Sequence, residues 1–228
     1  MGKSLSAWFV ALLASSACLG AELSPTEMRW LQGMWPVVAY ARAERLPLDI
    51  VVQPQAAPGA APLALAFIAG RCKLVLSMRG NPEAEATLER IDADLLAPAL
   101  ELMAAHELGH CRRYLDGAWH GLPAGFAPVV PETRDEALRA ATLEMRAARR
   151  EEGYADLVGL AWTQDRHPQH YARLHAWLVA ERSSDLIEGS HHDTLAWLGP
   201  ARLGIAPAGR SLFDRAGALW AAVLETGR

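Results

Sequence analysis

Apolar residues recur along this chain with two different periods. Over most of its length they fall three and four positions apart, the spacing that lines one face of an α-helix. Between residues 48 and 78 they crowd instead into short runs rich in Leu, Val and Ile, as strands do. The first helical stretch begins at Ser24-Pro25-Thr26-Glu27. Ser24 can cap it, Pro25 suits the first helical position, and Glu27 completes a capping box. It continues to about Arg45, with Gly33 and Pro36 as places for a kink. "LDIVVQP" reads as a strand, and "LALAFIAG" and "CKLVLSM" flank a turn at Gly70–Arg71 as a hairpin. Helices are expected over 83–94, 97–115, 133–164, 168–182 and 211–225, with loops at 116–132 and 188–194. A helix, a small antiparallel sheet and then a helical body predict an α+β fold in one domain, residues 21–228.

Composition narrows the class. A hydrophobic content of 51% with 21% charged residues describes a globular chain rather than a disordered one. The net charge of -4 carries no basic excess, which argues against a nucleic-acid partner. Residues 1–20 stand apart: Lys3, an apolar block at Ala7–Ala14, then small residues at Ser15–Gly20. That layout predicts a secretory signal peptide, and the block is too short to anchor in a bilayer. The mature chain is therefore expected to be periplasmic or secreted. Lipid attachment at Cys18 is the alternative, although Ser15 stands where such signals carry leucine. Without the leader two cysteines remain, Cys72 and Cys111, an even pair for a disulfide in an oxidising compartment. No later segment is long and apolar enough to span a membrane.

The chemistry concentrates in "AAHELGHCRRYLDG", residues 104–117. His106 and His110, four apart on a helix, project from one face and can reach one metal ion. Glu107 lies about 100° further round, beside the metal rather than on it, where it can take a proton from a metal-bound water. The turn before is apolar, and Gly109 leaves room for close backbone approach. A catalytic zinc needs a third protein ligand if its fourth position is to hold water. Asp116, His120 and an acid from a later helix are the candidates. Asp116 would need a sharp turn, and Arg113 stands where that turn requires glycine. In "REEGYADLVGLAW", Glu152 and Asp156 are four apart on a helix, so Glu152 can ligate while Asp156 accepts the outer N–H of a ligating histidine. Glu151 competes, but Ala155 gives it no acid four residues on.

HELGH followed by Glu152-x-x-Ala155-Asp156 resembles the gluzincin metallopeptidases, nearest their CAAX prenyl endopeptidase-like branch and more distantly the thermolysin family. The resemblance covers roughly residues 63–195 and implies a zincin-like fold, Zn²⁺ held by His106, His110 and Glu152, Glu107 as general base, and Asp156 behind a ligand. The membrane helices of that branch are missing here. The family also stabilises the oxyanion with a residue on a later loop, often a histidine. "GSHHDT" at 189–194 offers His191 and His192, of which His192 matches the family's pattern. His167, His170 and His175 are expected on the surface of the helix that follows.

The leading expectation is an exported zinc metallopeptidase acting on peptide or protein substrates. A zinc-binding interaction protein without turnover and a hydrolase of non-peptide amides are the alternatives. The strand nearest the HELGH helix, residues 74–79, is expected to present an open edge that holds substrate by backbone groups.

Overall fold

The structure is a computed structural model, and it describes residues 22–184, 186–206 and 211–225. The expected leader and Cys18 lie outside these residues. The first helix, α1 (Pro25–Ala43), has the capping box intact: Ser24 Oγ accepts from the Glu27 N–H, and Glu27 accepts from the Ser24 N–H at 2.6 Å. Three strands follow, β1 (Leu48–Val52), β2 (Leu63–Ile68) and β3 (Arg71–Leu76). β2 and β3 form the expected hairpin, closed by Ala69 and Gly70 with φ of 51° and 75°. Both signs are positive, as a two-residue turn matched to strand twist requires.

The sheet is mixed, not antiparallel. Its order is β1-β3-β2, with β1 running parallel to β3. Residues 53–62, ten with three prolines and a glycine, carry the chain from β1 past the position of β3 to the far edge. The hairpin then brings β3 back into the centre. A strand's burial pattern is the same for either partner direction, so only pairing reveals this. The arrangement also overturns the expectation for residues 74–79: β3 is paired on both edges, and the outer strands are β1 and β2, of which β2 borders the cleft.

The remaining helices are α2 (Pro82–Arg90), α3 (Leu96–Leu115), α4 (Glu136–Arg166), α5 (Tyr171–Ser183), α6 (Leu195–Ala201) and α7 (Leu212–Glu225). A single 3₁₀ turn, Pro168–His170, joins α4 to α5. α6 was not anticipated; it is seven residues long and contains Gly199-Pro200, which hides it from periodicity. α3 is the centre of the fold. Twelve of its residues are buried, between the sheet and α1 on one side and α4 on the other. The Cys72–Cys111 disulfide is present and fastens β3 to α3 beside His110, with both cysteines fully buried. α4 has two characters: no residue before Ala147 is buried, whereas residues 153–163 are buried without interruption. Among the described residues, no helix is long and apolar enough to cross a membrane.

Candidate metal centre

α3 and α4 pack closely through glycine. A Cβ on Gly159 would meet the Leu102 carbonyl oxygen at 2.9 Å, and Gly109 makes a similar approach to Ala155. This brings His106 and His110, one turn apart on α3, against Glu152 on α4. His106 Nε2 and His110 Nε2 face each other at 3.1 Å. Glu152 stands 3.5 Å from His106 Nε2 and 3.3 Å from His110 Nε2. The three residues form a group able to hold a metal ion.

The donor set fits a tetrahedral ion. Ligands at about 2.1 Å from a tetrahedral zinc lie about 3.4 Å from one another, close to the separations found. The lone pairs are also presented correctly on His106. Its Nδ1–H donates to Asp156 Oδ1 at 2.9 Å, which leaves Nε2 free to ligate. His110 is held differently. Its Nδ1 is buried without a hydrogen-bond partner among the described residues, and its ring stands edge-on to Trp119, centroids 5.5 Å apart at 74°. Packing against Trp119, rather than a hydrogen bond at Nδ1, holds the far edge of the second histidine.

Behind the group lies a charged network that sequence reasoning missed. Arg182 of α5 donates to both oxygens of Asp156, at 2.9 and 2.6 Å, and to Glu152 at 3.3 Å. Thr194 donates its hydroxyl to Asp156 at 2.6 Å. Burial alone would raise the Asp156 carboxyl, but Arg182 and His106 outweigh it and keep it ionised below the ordinary range. Glu152 behaves likewise: burial raises it, while His110, His106 and Arg182 together hold it down to about 2. Burial disfavours a charged His106, yet Asp156, Glu152 and Glu107 raise its pKa in the absence of an ion. Burial lifts the Glu107 carboxyl above its usual value.

The other candidates are placed elsewhere. Glu151, 1% exposed, accepts two bonds from Arg113, both at 2.8 Å, and one from the His120 N–H at 2.9 Å. It therefore secures the turn after α3 and stands outside the group of His106, His110 and Glu152. Asp116 pairs with Arg112 at 2.9 Å on the exposed end of α3. His120 stacks on Trp119 and lies 3.6 Å from Glu144. Neither joins the group. His175 is not a surface residue; it is 6% exposed, 2.8 Å from the Leu198 carbonyl.

A cleft of about 530 Å³ runs over the group. His106, Glu107, His110 and Glu152 line it, as do His191 and His192, Tyr114 and Trp119, and residues 61–65 at the β2 edge. The loop carrying the two histidines is anchored at its end by Thr194 on Asp156 and by Arg149 on the Asp193 carbonyl at 2.6 Å. Chemically, the arrangement offers a triad able to hold a metal ion, a carboxylate beside it and two imidazoles lining the same open cleft. No protein-family model, curated protein or solved structure matches the chain.

Proposed function

We propose that this chain is an exported zinc-dependent metallopeptidase, as its resemblance to the gluzincins implies. The observation that carries the reading is the meeting, in one cleft, of His106, His110 and Glu152 with an unligated Glu107. Two imidazoles and one carboxylate are a donor set that suits zinc. When bound, the ion would supply a water of lowered pKa and a Lewis acid for a carbonyl oxygen.

The chain's own residues would do the rest. Glu107 accepts the proton of the attacking water and returns it to the departing amine nitrogen. His192, on the loop across the cleft, donates a hydrogen bond to the developing oxyanion. Asp156 fixes the tautomer of His106, and Arg182 holds Asp156 and Glu152 in register. The β2 edge aligns the peptide. A leader at residues 1–20 and the Cys72–Cys111 bridge suit an oxidising, exported setting.

Metal analysis together with a peptide-library digest, wild type against Glu107→Gln, tests the reading. Expected are about one zinc per chain in both proteins and cleavage by the wild type alone. Zinc bound without cleavage of any peptide would favour a binding protein, and wild-type protein without zinc would end the proposal.

A further inference from the structure

Asp156 divides its hydrogen bonds between two parts of the site. Its Oδ1 takes the His106 Nδ1–H at 2.9 Å and an Arg182 Nη2 bond at 2.6 Å. Its Oδ2 takes Arg182 Nε at 2.9 Å and the Thr194 hydroxyl at 2.6 Å. Neither Asp156 nor Thr194 has exposed surface. One carboxylate thus backs a histidine of the candidate metal centre on one side and, on the other, holds the end of the loop that carries His191 and His192. Thr194 forgoes a local role to make this bond. It is the N-cap residue of α6, and its carbonyl accepts from the Trp197 N–H at 2.9 Å, yet its hydroxyl caps no helical N–H. A threonine in this place ordinarily turns its oxygen back to the first turn of the helix. Here the hydroxyl is aimed the other way, at a buried and ionised acceptor, which makes the stronger bond of the two.

The loop follows Thr194 at close range. The Thr194 N–H donates to the His192 carbonyl at 2.9 Å, and Asp193 closes the same loop by accepting from the Gly189 N–H at 2.9 Å. Arg149 holds the Asp193 carbonyl at 2.6 Å. Arg149 and Asp156 flank Glu152 on α4, so the helix that supplies the carboxylate of the group also fixes the end of the His192 loop.

Resting on the peptidase reading above, we infer that Thr194 is a positioning residue, whose bond to Asp156 sets where His192 stands relative to the metal centre. It acts through the loop backbone and touches neither substrate nor ion. Valine has nearly the shape of threonine and lacks the donor. Thr194→Val therefore loosens the loop, while Arg182, with its two bonds, keeps Asp156 and hence His106 in place. Zinc binding survives and the hydrogen bond from His192 to the oxyanion suffers, which lowers kcat and leaves KM nearly unchanged.

Thr194→Val, Thr194→Ser and His192→Ala test this. Thr194→Val should lower kcat about tenfold or more with about one zinc per chain retained. Thr194→Ser keeps the hydroxyl and should recover most of the loss. In the His192→Ala background Thr194→Val should have almost no further effect, because the residue it positions is gone. A second readout needs no turnover. In the zinc-loaded Glu107→Gln protein, adding Thr194→Val should speed amide hydrogen exchange over residues 189–194 by about tenfold, while amides of α3 around His106 and His110 keep their rates. Full additivity of Thr194→Val and His192→Ala, or loss of zinc in Thr194→Val, would overturn the inference, since Thr194 would then act through the fold or the ligands. Unchanged exchange in Thr194→Val would also overturn it, and where cleavage persists and depends on Glu107 the peptidase reading stands. Faster exchange confined to residues 189–194, with zinc kept but no peptide cleaved by the wild type, would sustain the tie between loop and Asp156 and sink the peptidase.

Discussion

A Cβ on Gly109 would stand 2.9 Å from the Cα of Ala155, closer than real Cβ contacts come. Gly109 lies inside the HELGH motif, and Ala155 separates Glu152 from Asp156 by sequence. The helix crossing and the ligand geometry are thus one feature. Gly109→Ala gains helix propensity, about 1 kcal/mol, but forces backbone apart at a tight contact, which typically costs about 1–3 kcal/mol. The expected outcome is a modest net loss of stability with a larger loss of zinc affinity, because Glu152 moves away from His106 and His110. Thermal unfolding and competitive zinc titration measure the two effects. Unchanged zinc affinity would show that the ligands do not depend on this contact.

Glu151 and Glu152 are neighbours with separate tasks. Glu152→Ala should abolish stoichiometric zinc binding, since it removes one donor of three. Glu151→Ala leaves the Arg113 guanidinium without its carboxylate at a site where that side chain is 12% exposed. Breaking such a pair from one side costs roughly 3 kcal/mol. Glu151→Ala should therefore lower the melting temperature yet retain zinc below it. Zinc retained by Glu152→Ala would mean another residue completes the triad.

How much of this was legible beforehand follows from what spacing can express. Two histidines one turn apart, and two acids one turn apart, are local facts, so His106, His110, Glu152 and Asp156 could be selected from periodicity alone. The choice of Glu152 over Glu151 rests on Asp156 four residues on; in the structure Glu152 joins the two histidines, and Glu151 is engaged by Arg113. Non-local facts were not legible. The direction of β1 and the strand order that leaves β2 at an edge depend on pairing between strands that carry no mark of either. Arg182 and Thr194 lie 26 and 38 residues beyond the aspartate they bond. Arg182 did leave a trace: it continues the stripe Tyr171, Leu174, Leu178, and a cation on an apolar stripe needs an internal partner. His175 sits beside Leu174 on that same face, which is why it is buried.

Arg79 predicts a pH effect far from the candidate metal centre. Glu27 has no exposed surface and accepts from Arg79 at 2.8 and 3.0 Å. The Arg79 hydrogen bond, more than any other influence, lowers the Glu27 pKa. A carboxyl lowered on folding adds stability above its unfolded value, and that stability is lost as the pH falls through the folded value. Arg79→Met should therefore cost about 2–3 kcal/mol near neutral pH. The gap to wild type should shrink as the pH drops below the ordinary carboxylate range. Urea melts of both proteins from pH 7 to pH 3 test this; a constant gap would exclude Glu27 as its source.

The edge of β2 gives the last prediction. Ser77 N–H donates to the Pro62 carbonyl at 2.9 Å, which makes residues 62 and 77 a hydrogen-bonded pair. Antiparallel pairs alternate, so Ala64, Ala66 and Ile68 also bond to β3, opposite Val75, Lys73 and Arg71. The N–H and C=O groups of Leu63, Leu65 and Phe67 then point away from β3 to the open edge. Leu63 and Leu65 line the cleft. A substrate strand added there would find its donors and acceptors already aligned. Proline at position 65 removes one outward N–H and no ladder bond, as an edge strand tolerates. It also removes the leucine side chain, so Leu65→Ala is the proper reference. Both variants should fold and hold zinc. Leu65→Pro should show a KM about tenfold above Leu65→Ala, the worth of one hydrogen bond to an extended substrate. Equal kinetics in the two variants would mean that the peptide is held by side chains alone, and β2 would then be no more than the wall of the cleft.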